Sequence, residues 1–372
     1  MVFSEKEREE LINNLQTTLI LSGQPLPNIK KEMQKAKTPD QIYAIRKRFP
    51  LAIKTLIEYT SDARNITGLT SALADEVISG LVKIAMKELG KPPAKFSFIV
   101  MGSEGRVEQT LKTDQDNAII YDDNGQTDQD SLRAYFLELG QKVCDWLDQL
   151  GYPYCKGGMM AKNEKWCKPL SVWKHYFRDW IVTADPETLI KSKIFFDFRP
   201  VYGEEGLSQE LRNSLFQDID DKATFFWQLA KTMLLFRPPL GLFGNIQLES
   251  EGEHKAEFSI KKAITPIVDI ARIYALKNCI FETNTSERLS LLFEKGILNR
   301  IDYQDILEVY QYLMQLRLRY QAEAIANNTM PDNYLNPKHI PKLDRLMLKE
   351  SFLIIESFQT KMSLDFTGGA DI

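Results

Sequence analysis

The sequence predicts an α+β fold: a small mixed β-sheet core flanked by an N-terminal helical region and a C-terminal helical bundle. Three observations predict it. Apolar residues recur at three- and four-residue steps towards both ends of the 372-residue chain. Two strand-sized apolar runs, Phe96–Met101 and Asn117–Tyr121, lie close together between those ends. The segment Gly90-Lys-Pro-Pro-Ala94 breaks the first helical pattern just before the first of these runs.

Residues 4–90 read as helices, with Leu11, Leu15 and Leu19 on one face and Leu69, Leu73, Val77, Leu81 and Ile84 on another. Pro25, Pro27, Pro39 and Pro50 cut the first part into short pieces. Residues 128–150 predict an amphipathic helix that ends at Gly151. Residues 153–169 read as irregular, and Ser171–Trp180 as helix. Phe195–Val201 is a third strand candidate, held to a sheet edge or strand end by Pro200. From about residue 206 helix dominates, over Pro266–Leu276, Thr285–Lys295, Gln304–Asn327 and Pro341–Met362. Thr285 is the expected cap of the second of these. The expected division is 1–92, 93–205 and 206–372.

Composition narrows the function classes. The chain has 47 basic and 51 acidic side chains and a net charge of −4, which disfavours a dedicated nucleic-acid binder. No apolar run approaches the ~20 residues of a membrane helix. The N-terminus is charged and lacks a signal-peptide core, so a soluble cytoplasmic protein is expected. Four cysteines without CxxC spacing and three scattered histidines predict reduced thiols in or near cores rather than a zinc site.

The informative stretch is Met101-Gly-Ser-Glu-Gly-Arg-Val-Glu-Gln-Thr-Leu-Lys-Thr-Asp-Gln-Asp-Asn117. A strand ends at Met101, and Gly102 and Ser103 open a helix. Glycine admits a phosphate close to backbone N–H groups, a helix start favours anions, and Ser103 and Arg106 add a hydroxyl and a forked cation. Asp114 and Asp116, two residues apart at the entrance to an extended segment, point to one side. Paired carboxylates facing a phosphate-binding loop suit Mg²⁺ and metal-assisted phosphoryl chemistry. Such chemistry calls for a third acid. Asp197, in an apolar setting where an unpartnered carboxylate is costly, is the candidate, in preference to a simple ion pair with Arg199.

Gly102-Ser103 followed by Asp114-Gln-Asp116 resembles the signature of the DNA-polymerase-beta-like nucleotidyltransferase superfamily. The longer motif is closer to the bacterial nucleotidyltransferase family related to the N-terminal part of PII uridylyltransferase. Cys155-Lys-Gly-Gly-Met-Met-Ala161 with Trp166, Asp197-Phe-Arg-Pro-Val-Tyr-Gly203, and Thr265–Leu276 resemble further blocks of that family. The last lies in its C-terminal helical substrate-binding domain. The resemblance runs from about residue 60 to near the C-terminus.

It implies that Gly102 and Ser103 contact an NTP, with Arg106 and Lys112 as further phosphate contacts. Asp114, Asp116 and Asp197 would be the catalytic and metal-binding acids, holding two Mg²⁺ ions, with Mn²⁺ as the alternative. The expected acceptor is a regulatory protein, with no membrane and no nucleic acid involved. The rivals are a small-molecule nucleotidyltransferase and a nucleotide-sensing module without turnover. Family members often carry CBS and cyclic-nucleotide-binding domains, and no CBS segment precedes the motif in this sequence.

Among the remaining residues, Gly157-Gly158 with Lys156 and Lys162 is either a cleft lining or a turn. His175 is expected at a core or its boundary, and Arg272 in a buried ion pair rather than facing the cleft. Lys261, Lys262, Arg317 and Arg319 are expected to be solvated.

Overall fold

The computed structural model describes residues 29–50, 53, 57, 62–123, 128–220, 222–241 and 244–369. The expected Leu11–Leu19 face lies outside them. The chain forms two compact units, Met1–Asp179 with Lys193–Asp218, and Trp180–Ser192 with Ile219–Ile372.

The first unit opens with α1 (Ile29–Lys35), α2 (Pro39–Arg46) and the long α3 (Ala63–Leu89). Helix α3 starts where the Asp62 carboxylate accepts from the Arg64 amide, and it stops at Gly90, whose φ is 88°. Four strands follow: β1 (Phe96–Val100), β2 (Asn117–Tyr121), β3 (Cys167–Pro169) and β4 (Arg199–Gly203), in the order β3-β2-β1-β4. β1 pairs antiparallel with β2 and β4, while β2 and β3 run parallel, so the small sheet is mixed as expected. Between β1 and β2 lies one helical turn, α4 (Gly102–Gly105). Between β2 and β3 runs α5 (Gln129–Gln149), capped by Asp128. α6 (Leu170–Thr183), whose last residues pass into the second unit, and α8 (Glu205–Ile219) complete the first unit, while α7 (Pro186–Ser192) between them belongs to the second.

Two sequence expectations fail here. Residues 193–197 form a 3₁₀ turn, and the strand begins only at Arg199. The phenylalanines that mimic a strand are buried for another reason. Phe195 packs against Trp166 in a tilted pair with centroids 4.4 Å apart, and Phe196 and Phe198 meet Phe177 at 5.7 and 5.8 Å. Burial in an aromatic cluster, not ladder pairing, explains their apolar character. Pro200 does sit in an edge strand. Residues 153–169, read as irregular, contain β3, which is too short for any periodicity to announce it.

The second unit is helical: α9 (Ala223–Leu234), α10 (Ile260–Lys277), α11 (Thr285–Glu294), α12 (Arg300–Ala326) and α13 (Lys342–Thr367), with a two-strand ribbon of β5 (Phe258–Ser259) and β6 (Tyr334–Leu335). α10 is buried along nearly its whole length. It begins at Ile260 under a Ser259 cap, six residues before the expected start at Pro266, so that proline is internal. The Thr265 hydroxyl donates to the Lys261 carbonyl at 2.9 Å in the turn that the proline leaves short of a donor. Helix α11 is capped by Asn284, which accepts from the Glu287 amide at 3.2 Å, so the cap stands one residue before the expected Thr285.

Arg272 pairs with Asp269 inside α10, as expected. Arg317, expected to be solvated, is 7% exposed and donates from Nε to Asn333 Oδ1 at 2.8 Å. His175, expected at a core boundary, lies on the surface beside Asp179. Cys144 and Cys167 are buried, Cys155 is half-buried and Cys279 is exposed. Among the described residues no helix is long and apolar enough to cross a membrane.

Candidate functional site

The signature stretch begins where β1 ends. The Met101 amide donates to the Asp116 carbonyl at 2.9 Å, which sets the start of the loop beside the approach to β2. Gly102 has φ of 60°, and a Cβ there would stand 3.0 Å from Asp116 Oδ2. The left-handed backbone calls for glycine, and a side chain there would also crowd the Asp116 carboxylate. The chain then makes only the single turn α4, closed by Arg106 N–H to Gly102 C=O at 3.0 Å. The sequence predicts a helix here. One turn carries little macrodipole, so an anion at this loop would rely on individual N–H groups and side chains.

Residues 114–117 alternate as expected. Asp114 and Asp116 are half-buried, and Gln115 and Asn117 face inward. The inward pair holds the segment in place. Gln115 Nε2 donates to the carbonyls of Cys144 and Tyr152 at 2.9 and 2.8 Å. Asn117 Oδ1 accepts from the Ala161 amide at 2.8 Å, and its own amide donates to the Met159 carbonyl at 3.1 Å. The Cys155–Ala161 block therefore runs alongside the two aspartates. Burial, and next the Asp116 carboxylate, push the Cys155 thiol up to about 11. Lys162 is drawn to Asp145 at 2.9 Å and lies over the Tyr154 ring.

Arg106 Nη1 donates to Asp197 Oδ2 at 2.8 Å, and its Nε to Glu108 Oε2 at 2.6 Å. Burial opposes the charge of Arg106, but the two acids outweigh it and hold the guanidinium protonated. Asp197 is fully buried. Its partner is Arg106 and not Arg199, which instead forms a bidentate pair with Asp75 of α3 at 2.8 and 2.9 Å. Arg199 Nε also donates to the Glu104 carbonyl at 3.1 Å, so one buried guanidinium ties β4, α3 and the signature loop together.

Two features of the loop were not read from the sequence. Val107 has φ of 59°, a left-handed conformation that a β-branched residue rarely adopts. Glu104 is buried with Oε1 unpaired. Burial first, then the charges of Asp75, Asp116 and Asp114, raise its pKa to about 8 against the opposing Arg199. Local sequence holds no signal for it, because its acid neighbours arrive from two other segments, α3 and residues 114–116.

Asp114 and Asp116 bring two half-buried carboxylates to one side of the segment, oxygen donors of the kind a divalent metal ion takes. Among the described residues, no three His, Cys, Asp or Glu side chains are gathered closely enough to share one ion, and Asp197 is held by Arg106. Ser103 is half-buried, and Lys112 is exposed on the loop that leads to Asp114.

Two family models match the chain in succession. Residues 47–187 match "Putative nucleotidyltransferase DUF294", and residues 223–366 match "Putative nucleotidyltransferase substrate binding domain". The chain belongs to this nucleotidyltransferase family. Among curated proteins none matches it. The family's nucleotidyltransferase region contains Gly102, Ser103, Asp114 and Asp116 but ends before Asp197.

Proposed function

We propose that this family member is a Mg²⁺-dependent nucleotidyltransferase that moves an NMP from an NTP to a regulatory protein. The observation that carries the reading is the 3.0 Å approach of a Gly102 Cβ position to Asp116 Oδ2, which makes the glycine loop and the carboxylate walls of one space. A phosphate-binding loop and a cation-binding acid are useful together only when one ligand touches both.

In the proposed reaction a nucleophilic oxygen of the acceptor forms a bond to the α-phosphorus of the NTP. The bond to the bridging oxygen breaks, pyrophosphate leaves and the acceptor gives up its proton. Asp114 and Asp116 would hold the metal, and Asp197, paired with Arg106 in this structure, would serve as the third carboxylate once a phosphate takes its place on that guanidinium. Bound divalent cations in such sites neutralise charge on the attacking and leaving oxygens. Ser103 and the backbone N–H groups beside Gly102 orient the triphosphate, and Lys112 reaches it from the loop. Arg106 binds phosphate in exchange for Asp197, because a triphosphate competes for the same guanidinium fork.

Calorimetry of each NTP with and without Mg²⁺ tests this on wild type and on Asp114→Ala/Asp116→Ala. We expect Mg²⁺-dependent binding of one NTP that the double variant loses. Absence of binding by the wild type at millimolar nucleotide overturns the reading and favours a sensing or scaffold role.

A further inference from the structure

The second unit carries a groove of about 270 Å³, lined by Ile246, Leu248, Pro337, Lys342, Arg345, Leu346 and Lys349. Its lining is apolar and basic without a single acid, on a chain whose net charge is −4. The cations come from one face of α13. Lys342, Arg345, Leu346 and Lys349 stand at i, i+3, i+4 and i+7, so the apolar Leu346 is flanked by positive charge. Leu248 and Leu346 are 39% and 56% exposed, large apolar side chains left open to solvent.

The opposite wall is preformed. Ile246 bridges to Leu240, the Gln247 amide donates to the Pro239 carbonyl at 2.9 Å, and the Glu249 amide to the Glu257 carbonyl at 2.8 Å. Arg345 Nη1 donates to the Pro337 carbonyl at 3.2 Å and fixes the end of the groove. Among the described residues Lys342 and Lys349 hold no ion pair, whereas the neighbouring Asp344 is taken by Arg319 at 2.6 Å. Lys342 and Arg345 also occupy the first turn of α13, where positive charge opposes the helix dipole and does nothing for the helix itself. A local choice that costs the element stability points to a use elsewhere.

We infer that this groove docks an acidic segment of the protein acceptor, with carboxylates on Lys342 and Lys349 and an apolar side chain against Ile246, Leu248 and Leu346. The inference rests on the proposed transfer to a protein, since a small-molecule acceptor would have no such segment. Charge complementarity of this kind sets partner choice and association rate.

The test is fluorescence anisotropy of the full chain with a labelled peptide of repeated Glu-Glu-Leu triplets, beside its Lys-Lys-Leu counterpart. The acidic peptide should bind and the basic one should not. Lys342→Glu/Lys349→Glu should weaken binding at least about tenfold, and Lys342→Gln/Lys349→Gln by less. Raising salt to about 0.5 M should weaken the wild type in the same direction. Binding that is absent, or equal in all variants, overturns the inference. Displacement of the peptide by ATP or inorganic pyrophosphate also overturns it, by making the groove a small-anion site. The NTP titration on the same proteins separates the two readings. Lysine variants that bind NTP normally but lose the peptide support the docking groove. Wild type that binds neither ligand fails both. Wild type that binds NTP but no peptide fails only this one.

Discussion

The two units bury charge in opposite ways. In the first, Arg199 reaches Asp75 across 124 residues of sequence and Arg106 reaches Asp197 across 91. In the second, Arg272 meets Asp269 one helical turn away. A local pair stabilises the helix that already holds both partners. A long-range pair fixes separate segments against each other, and here those segments are the signature loop, the turn that carries Asp197, and α3. Long-range buried charge therefore braces the segments of the candidate site against one another, while the Asp269–Arg272 pair braces its own helix.

The sharpest way to break this contrast is to remove one arginine from each unit. Stranding one member of a buried pair costs about 3–5 kcal/mol. Arg199→Met should lose stability in that range, read by urea denaturation, and should also lose Mg²⁺-dependent NTP binding at temperatures where it is still folded. Arg272→Met should lose comparable stability and keep NTP binding. Equal effects of the two variants on nucleotide binding would remove the distinction.

Glu104 sharpens it through pH. Its folded-state pKa of about 8 stands above its ordinary 4.5, so between those values the folded chain keeps a proton that the unfolded chain releases. Stability must then fall as pH rises from 4.5 to 8, by at most about 1.4 kcal/mol per unit, and level off outside that window. Urea midpoints measured in chelator should show this slope, and Glu104→Gln should flatten it. The smallest effect belongs to the helical unit: Asn284→Ala should cost about 1 kcal/mol in thermal or urea unfolding through loss of the α11 cap, with nucleotide binding unchanged.

The same contrast explains what the sequence revealed. The α+β class, β1, β2 and α5 were legible because each is written in a continuous run of side chains, and Arg272 because its partner lies three residues away. The cap at Asn284 was missed by one residue because Thr285 is also a good capping residue. Pairings across the chain were not legible: Arg199 was weighed as the partner of Asp197 two residues away, and its true partner lies on α3. Glu104 looked like one more polar residue of the motif, since its burial depends on Asp75 and the 114–116 segment folding around it.

Gly105 carries one more lesson. A Cβ there would stand 1.7 Å from the Asp197 carbonyl oxygen, so the signature loop and the 193–197 turn touch backbone to side-chain-free backbone. Neither surface has slack to absorb a change in the other. Through descent, or in any chimera between relatives, the two segments must travel as a matched set, although more than 80 residues of chain separate them. A loop grafted without its turn would bring the motif and leave its fit behind.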